Sequence, residues 1–359
     1  MVKALTEGKE TIDIMAAGTA MRFLTAYLSA TPGEHIITGT ERMQQRPIQI
    51  LVDALRQLGA DITYVGKEGY PPLRIKGTRL QGNTITLQGN VSSQYISALL
   101  MIGPVLENGL TLHLTGDIIS RPYIDLTMQL MRDFGAKIAW TDSSEISVAP
   151  EPYTGIPFAV ESDWSAASYW YQLVALSTNA EVELLGLFRQ SYQGDSRGAH
   201  VFSRLGITTE FTQRGIRLRK TGKVPARLDE DFVDIPDLAQ TFVVTCTLLN
   251  IPFRFTGLQS LKIKETDRIA ALRTELKKLG YLIKEENDNT LIWDGERCKA
   301  EQTPVIATYE DHRMAMAFAP AALHYPSMQI ADPHVVSKSY PEYWNDLRQA
   351  GFEITEVAE

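Results

Sequence analysis

Cysteine is nearly absent from this chain: 359 residues hold only Cys246 and Cys298, far apart and in no CxxC pair. A disulfide framework is therefore excluded, and the usage suits a reducing, cytoplasmic setting. The six histidines form no HxxxH or Cys/His cluster, which argues against a structural metal. No apolar stretch approaches the roughly 20 residues of a membrane span, and the opening MVKALTEGKE lacks the apolar run of a signal peptide. Positive charge is also in deficit. The formal net charge is −8, which argues against nucleic acid as the main partner. What is left is an ordinary globular mixture, 44% hydrophobic and 22% charged, long enough for two domains with their own cores. An acidic protein can still bind anions where its cations converge, so their placement matters more than their sum.

The chain repeats. LRQLGADI, MRDFGAKI, FSRLGITT, LKKLGYLI and LRQAGFEI recur around Gly59, Gly135, Gly206, Gly280 and Gly351, with a period of about 70–76 residues. Each phrase reads as a helix end, a capping glycine and a strand. A second set keeps the same beat: HIITG, TLHLTG, EVELLG and FRFTG end at Gly39, Gly116, Gly186 and Gly257, and MQIAD reaches Asp332. Ahead of each lies an apolar helix, such as SSQYISALLMI or LAQTFVVTCTLL, too apolar on every face to lie on a surface. The unit is helix, strand, loop, helix, glycine and strand pair, seen five times in whole or large part. One period before Gly59 falls ahead of residue 1, so a preceding unit is expected to be largely missing. Three such units could close around buried helices to make a domain. The proline and glycine cluster at 150–157 marks the expected boundary, giving domains 1–160 and 161–359.

Equivalent positions in repeated units should occupy equivalent places. The loops after the second-set strands hold Arg42, Ser120, Tyr123, Lys264, Glu265 and Lys338. The starts of the buried helices hold Gly18, Thr19, Ser92, Ser93, Asp237 and the run Asp311-His312-Arg313. Helix N-termini offer free N–H groups and a positive dipole end for phosphate or carboxylate. Arg22, Arg42, Lys264, Arg268, Arg313 and Lys338 are thus candidates for one cationic rim, with Asp237 and Glu265 among them for acid–base work. Plainer readings stand beside these. Ser92-Ser93 and Asp237 could simply be helix caps, and KETDRIAALRTELKKLG could be a charged helix start.

The motifs AGTAMR (17–22), ERMQQRPI (41–48), VSSQYISALLM (91–101), ISRPYID (119–125), IPDLAQT (235–241), KETDRI (264–269), EDHRMAM (310–316) and VSKSYPEY (336–343) together resemble the EPSP synthase family of enolpyruvyltransferases, in the family's order. The resemblance implies an α/β, two-lobe fold, each lobe built from three βαβαββ-type units around buried helices, with the first unit largely missing here. It implies transfer of the carboxyvinyl group of phosphoenolpyruvate to the 5-hydroxyl of shikimate 3-phosphate, with no metal or organic cofactor. The expected partners are those two small molecules, without nucleic acid or membrane, and the expected state is a cytoplasmic monomer. Residue by residue, Gly18, Arg42, Gln94, Arg268, Arg313 and Lys338 match positions at phosphoenolpyruvate. Ser92, Ser93, Gln94, Ser120, Tyr123, Asp237, Ser260 and Lys264 match positions at shikimate 3-phosphate. Asp237 matches the carboxylate that takes the hydroxyl proton, and Glu265 the one that moves a proton at the methylene carbon.

Three departures accompany the resemblance. Ala16 and Ser260 stand where the family commonly has asparagine, and an early Leu-Pro-Gly-Ser-Lys-Ser-type segment has no counterpart, since Lys3 and Lys9 lie too close to Gly18. One alternative expectation is therefore a catalytically impaired form that only binds anions. Another is the sister transferase acting on UDP-N-acetylglucosamine, which normally carries a cysteine in the loop matching ERMQQRP, where none is present. RNA 3′-phosphate cyclase is related in fold but lacks these arginine motifs.

Overall fold

The structure, a computed structural model, describes residues 9–357; Lys3 lies outside them. The chain divides into two compact units between Ala159 and Val160. Each unit has its own continuous core of buried side chains. Among the described residues no helix is long and apolar enough to cross a membrane.

The first unit runs β1 (Thr11–Asp13), α1 (Gly18–Ser29), β2 (Gly33–Thr38), α2 (Gln49–Gln57), β3 (Asp61–Tyr64), β4 (Leu73–Gly77). It then repeats as β5 (Thr84–Gln88), α3 (Ser93–Ile102), β6 (Leu110–Thr115), α4 (Arg121–Asp133), β7 (Ile138–Trp140), β8 (Glu145–Val148). The second unit opens with α5 (Trp164–Leu176), β9 (Glu181–Leu185), α6 (Gly198–Arg204), β10 (Ile207–Phe211), β11 (Gly215–Lys220). Next come β12 (Leu228–Asp231), α7 (Ala239–Leu248), β13 (Phe253–Thr256), α8 (Arg268–Lys278), β14 (Lys284–Glu286), β15 (Thr290–Trp293). Last are β16 (Val305–Ile306), α9 (His312–Phe318), β17 (Gln329–Ile330), α10 (Tyr343–Gln349).

Sheet topology shows these to be copies of one motif. The orders β1-β2-β4-β3, β5-β6-β8-β7 and β12-β13-β15-β14 are the same, with a parallel first pair and antiparallel pairs after it. The copy around β9 shows β10-β11-β9, without a leading strand among the described residues, and the last shows only the parallel pair β16-β17. The repeat expected from sequence is thus a βαβαββ motif. Its leading strand is what the glycine phrases did not mark.

Helix burial follows from composition. Every residue of α7 is buried, and α5 is buried everywhere except at Ala166. The hydroxyls inside such helices can donate to the carbonyl one turn back, as Thr25 does to Met21 at 2.6 Å and Thr245 to Thr241 at 2.6 Å, whereas the buried Gln240 amide of α7 is left without a partner among the described residues. The second helix of each copy is amphipathic instead: α4 buries Ile124, Met128 and Met131, at helical spacing, and turns the rest outward.

The recurring glycines close these helices. Gly59, Gly135, Gly206, Gly280 and Gly351 have φ of 100°, 86°, 80°, 92° and 100°, the left-handed position after a helix end. Gly116, Gly186 and Gly257 take φ of 72°, 74° and 75° as the chain leaves a strand for the rim, and in the fifth copy Asp332 does so at φ 47°. Gly59→Ala, whose added Cβ meets nothing within 4 Å, should cost about 1–2 kcal/mol from backbone strain alone. Gly206→Ala also places a Cβ 2.3 Å from the Lys223 carbonyl oxygen and should cost more. Urea unfolding of both variants checks this, and equal tolerance would count against the packing described.

Candidate functional site

In the second unit, the starts of α7, α8 and α9 and the loop after β17 bring seven charged side chains together. Arg268, at the first position of α8, is the most enclosed of the four cations, with its side chain 1% exposed. Its Nε donates to Asp311 Oδ2 at 2.7 Å, its Nη1 to Asp237 Oδ1 at 2.9 Å and its Nη2 to Glu265 Oε2 at 2.9 Å. A buried guanidinium needs such acceptors, because taking its charge out of water unpaired is costly. Asp311 is fully buried and also caps α9 by accepting from the Arg313 N–H at 2.9 Å. Asp237 accepts from Arg313 Nη2 at 3.0 Å and lies 3.3 Å from Lys264 Nζ. It makes no capping bond, so the plain cap reading does not describe it. Lys338 and Glu265 form a close ion pair.

Electrostatics sets the protonation states. Burial pushes the Asp237 carboxyl up, but Arg313, Lys264 and Arg268 outweigh it and hold the group well below the ordinary carboxylate value. Asp237 is thus an ionised, partly accessible base. Arg313 is enclosed, and despite that burial Asp237 keeps it firmly cationic. Its Nη1 lies 3.5 Å from the Tyr169 hydroxyl. Burial pushes that phenol up to about 12 although Arg313 opposes the shift, so it stays neutral. His312 is driven down to about 2, by burial first and then by Arg313 and Lys338. Among these groups, Lys264, Arg268, Arg313 and Lys338 face Asp237, Glu265 and Asp311, while Asp163 and Asp195 also act on Arg313. The cluster thus sets cations beside an ionised carboxylate, a combination that can meet an anionic ligand.

In the first unit the helix starts also adjoin one another. Gln94 Nε2 donates to Thr19 Oγ1 at 3.0 Å, linking the start of α3 to that of α1. The Ile119 N–H donates to the Gly89 carbonyl at 3.2 Å, linking the turns ahead of α4 and α3. Ser92 caps α3 by accepting from the Gln94 N–H at 3.4 Å, so its plain reading holds, and Ser93 is the first helical residue. Ser120 precedes α4 in a left-handed conformation, φ 56°, and the Tyr123 N–H donates to its carbonyl at 3.1 Å.

Arg22 departs from the expected cationic rim. It is 3% exposed and turned inward, donating to the Gly18 carbonyl at 3.2 Å and the Pro47 carbonyl at 3.3 Å, while Tyr95 OH donates to the same Pro47 oxygen at 2.6 Å. Its charge thereby fastens the 41–48 loop to α1 and α3. Arg42 is exposed on the one-turn helix Glu41–Gln44 of that loop. Arg46 was not singled out from sequence, although it lies in the same motif. Its Nη1 sits 2.6 Å from where a Cβ on Gly18 would be, so glycine there leaves room for a guanidinium at the start of α1.

Ala16 is half-buried, and Ser260 is half-buried in the turn Gln259–Ile263, which leads into Lys264. Burial pushes the Cys246 thiol, fully enclosed in α7, well above its usual value, while Cys298 is half-exposed. Tyr169 was also missed from sequence, since an aromatic in an apolar helix carries no mark of pointing at a charge.

Acid stability should report these states. Asp237 has a depressed folded pKa, so its contribution is present above the ordinary 3.8 and is lost as pH falls through the folded value. His312 acts earlier. The unfolded chain takes up its proton near 6.5 while the folded chain does not until about 2, so stability falls as pH drops below 6.5. That loss amounts to about 1.4 kcal/mol per pH unit once the unfolded histidine is fully protonated. Replacing His312 by Asn should flatten the stability profile between about pH 6 and 4 relative to the parent. Parallel profiles by urea titration across that range would refute the neutral buried imidazole.

Comparison with known proteins agrees along the whole chain. The EPSP synthase (3-phosphoshikimate 1-carboxyvinyltransferase) family profile matches residues 2–347. A 3-phosphoshikimate 1-carboxyvinyltransferase from Bacteroides fragilis is 74% identical over 354 residues, 99% of this chain and 86% of that protein. One from Photobacterium profundum is 39% identical over 93% of this chain and 77% of its own length. Among solved structures, EPSP synthase from Acinetobacter baumannii superposes with a TM-score of 0.73 at 23% identity, covering 96% of this chain and 79% of that one. The enolpyruvyl transferase NikO from Streptomyces tendae gives 0.66 at 15%, over 91% of this chain and 75% of that one. At those identities the two structures speak for the fold alone. The sequence matches go further: the chain belongs to the EPSP synthase (3-phosphoshikimate 1-carboxyvinyltransferase) family.

Proposed function

We propose that this chain transfers the carboxyvinyl group of phosphoenolpyruvate to the 5-hydroxyl of shikimate 3-phosphate and releases phosphate. The observation that carries the reading is Asp237, a carboxylate held ionised by Arg313, Lys264 and Arg268. Such a group can take the hydroxyl proton as the oxygen attacks the enol carbon. The methylene carbon must gain a proton in the same step. Glu265, in close contact with the Lys338 ammonium, is suited to relay one. Loss of phosphate from the resulting tetrahedral adduct, with return of a proton from the new methyl group, completes the transfer.

Anion recognition divides in this reading. Arg313 and Lys338 of the second unit suit the carboxylate and phosphate of phosphoenolpyruvate, and Gly18, Arg42 and Gln94 of the first unit match further positions for that substrate. Arg268 keeps its donors on Asp237, Glu265 and Asp311 and supports the site from behind. Ser92, Ser93, Gln94, Ser120 and Tyr123 of the first unit match positions for shikimate 3-phosphate, as Ser260 and Lys264 do in the second. The same reading makes the protein a cytoplasmic monomer acting on two small molecules.

A phosphate-release assay tests it. Release should require both substrates together, and Asp237→Asn should lower kcat about 10²–10⁴-fold. No release by the parent chain with both substrates present would end the proposal, and full activity of the Asn variant would remove Asp237 from it.

A further inference from the structure

Helix α8 grips the segment ahead of α9 at two points. One is the Arg268–Asp311 pair at its start. The other, two turns on, is Glu275, whose carboxylate is fully buried. Glu275 Oε2 accepts from the Ala307 N–H at 3.1 Å, and Oε1 accepts from the Tyr309 hydroxyl at 2.6 Å. Lys278 Nζ lies 2.7 Å from Glu275 Oε2 and donates to the Val305 carbonyl at 2.7 Å. Between the two grips the backbone is strained, since Tyr309 and Glu310 both take φ of 55°. Two successive non-glycine residues hold that conformation only where their surroundings impose it. Directly after them come Asp311, which binds Arg268, and Arg313, which binds Asp237.

We propose that Glu275 and Tyr309 are positioning residues for the transfer, clamping the 307–310 turn so that Asp311 and Arg313 stand in register with Arg268 and Asp237. The inference rests on the function proposed above. A buried Glu275–Lys278 pair could serve stability alone, but the bonds to Ala307 and Tyr309 face the one loop that delivers Arg313. Tyr309 is 37% exposed, so trimming its hydroxyl opens no core cavity and removes only one donor from the Glu275 carboxylate.

The test compares Tyr309→Phe and Glu275→Gln with the parent in phosphate release, thermal unfolding and crystal structure. Expected is a kcat lower by about 10-fold for Tyr309→Phe and by about 100-fold for Glu275→Gln, since displacement of a catalytic group by about 1 Å has effects of that order. The acid limb of kcat/KM should move to higher pH. Asp237 is faced by Lys264, Arg268 and Arg313, with Glu265, Asp311, His312 and Lys338 in the same cluster, and withdrawing Arg313 raises its pKa. The crystal structure of Tyr309→Phe should show the 307–313 segment displaced and the Arg313–Asp237 bond lengthened. Parent-like kcat and acid limb in folded variants, or a loss matched only by loss of folded protein, would overturn the clamp. So would an unmoved 307–313 segment, a result independent of turnover. A parent enzyme that releases no phosphate would instead count against the function and leave the crystallographic outcome to decide the clamp.

Discussion

A single buried guanidinium organises the second unit. Arg268 is almost wholly enclosed, and its three bonded carboxylates come from three separate stretches: Asp237 ahead of α7, Glu265 ahead of α8 and Asp311 at the start of α9. Each lies at the same edge of its own repeat. Only a planar fork with donors in several directions can reach all three, and a lysine ammonium has neither that span nor that geometry. Removing the guanidinium would leave the fully buried Asp311 without its arginine partner, which typically costs about 3–5 kcal/mol. Arg268 therefore fixes where Asp237 stands, and with it where Arg313 and Lys264 can approach.

The βαβαββ motif makes this convergence possible. A parallel pair such as β12-β13 needs a crossover helix, so α7 begins where β12 ends, and the loop into α8 begins where β13 ends. Helix starts and post-strand loops from each copy thus gather along one edge. The first unit obeys the same geometry with different chemistry: its edge carries hydroxyls, an amide and exposed or half-buried arginines, and its buried arginine, Arg22, donates to backbone carbonyls.

Much of this was legible in the sequence, for reasons that can be named. The glycine phrases were readable because left-handed φ after a helix end or strand end selects glycine, and a spaced series of them marks a period. Asp332 holds the same conformation without being a glycine, and it was found only because the period pointed to it. Core helices were readable because α7 has no polar face. The leading strands were not, since three residues such as Thr11–Asp13 carry too short a pattern to separate from loop. Pairings within the charged cluster were equally hidden. Sequence could place Arg22 and Arg313 at equivalent-looking sites. That one turns inward to carbonyls and the other toward Asp237 depends on contacts 25 and 76 residues away.

The cluster also explains how an acidic chain can hold anionic ligands. Arg313 opposes the charge on Arg268, as like charges in one cluster must. Asp237 lies between them and accepts from both. The carboxylate that keeps the cations together is thereby the one they keep ionised. The cations and the carboxylate thus hold one another in the charged state. Overall charge matters little to this balance, because a carboxylate many ångströms away across water is screened, whereas partly buried partners about 3 Å apart are screened much less.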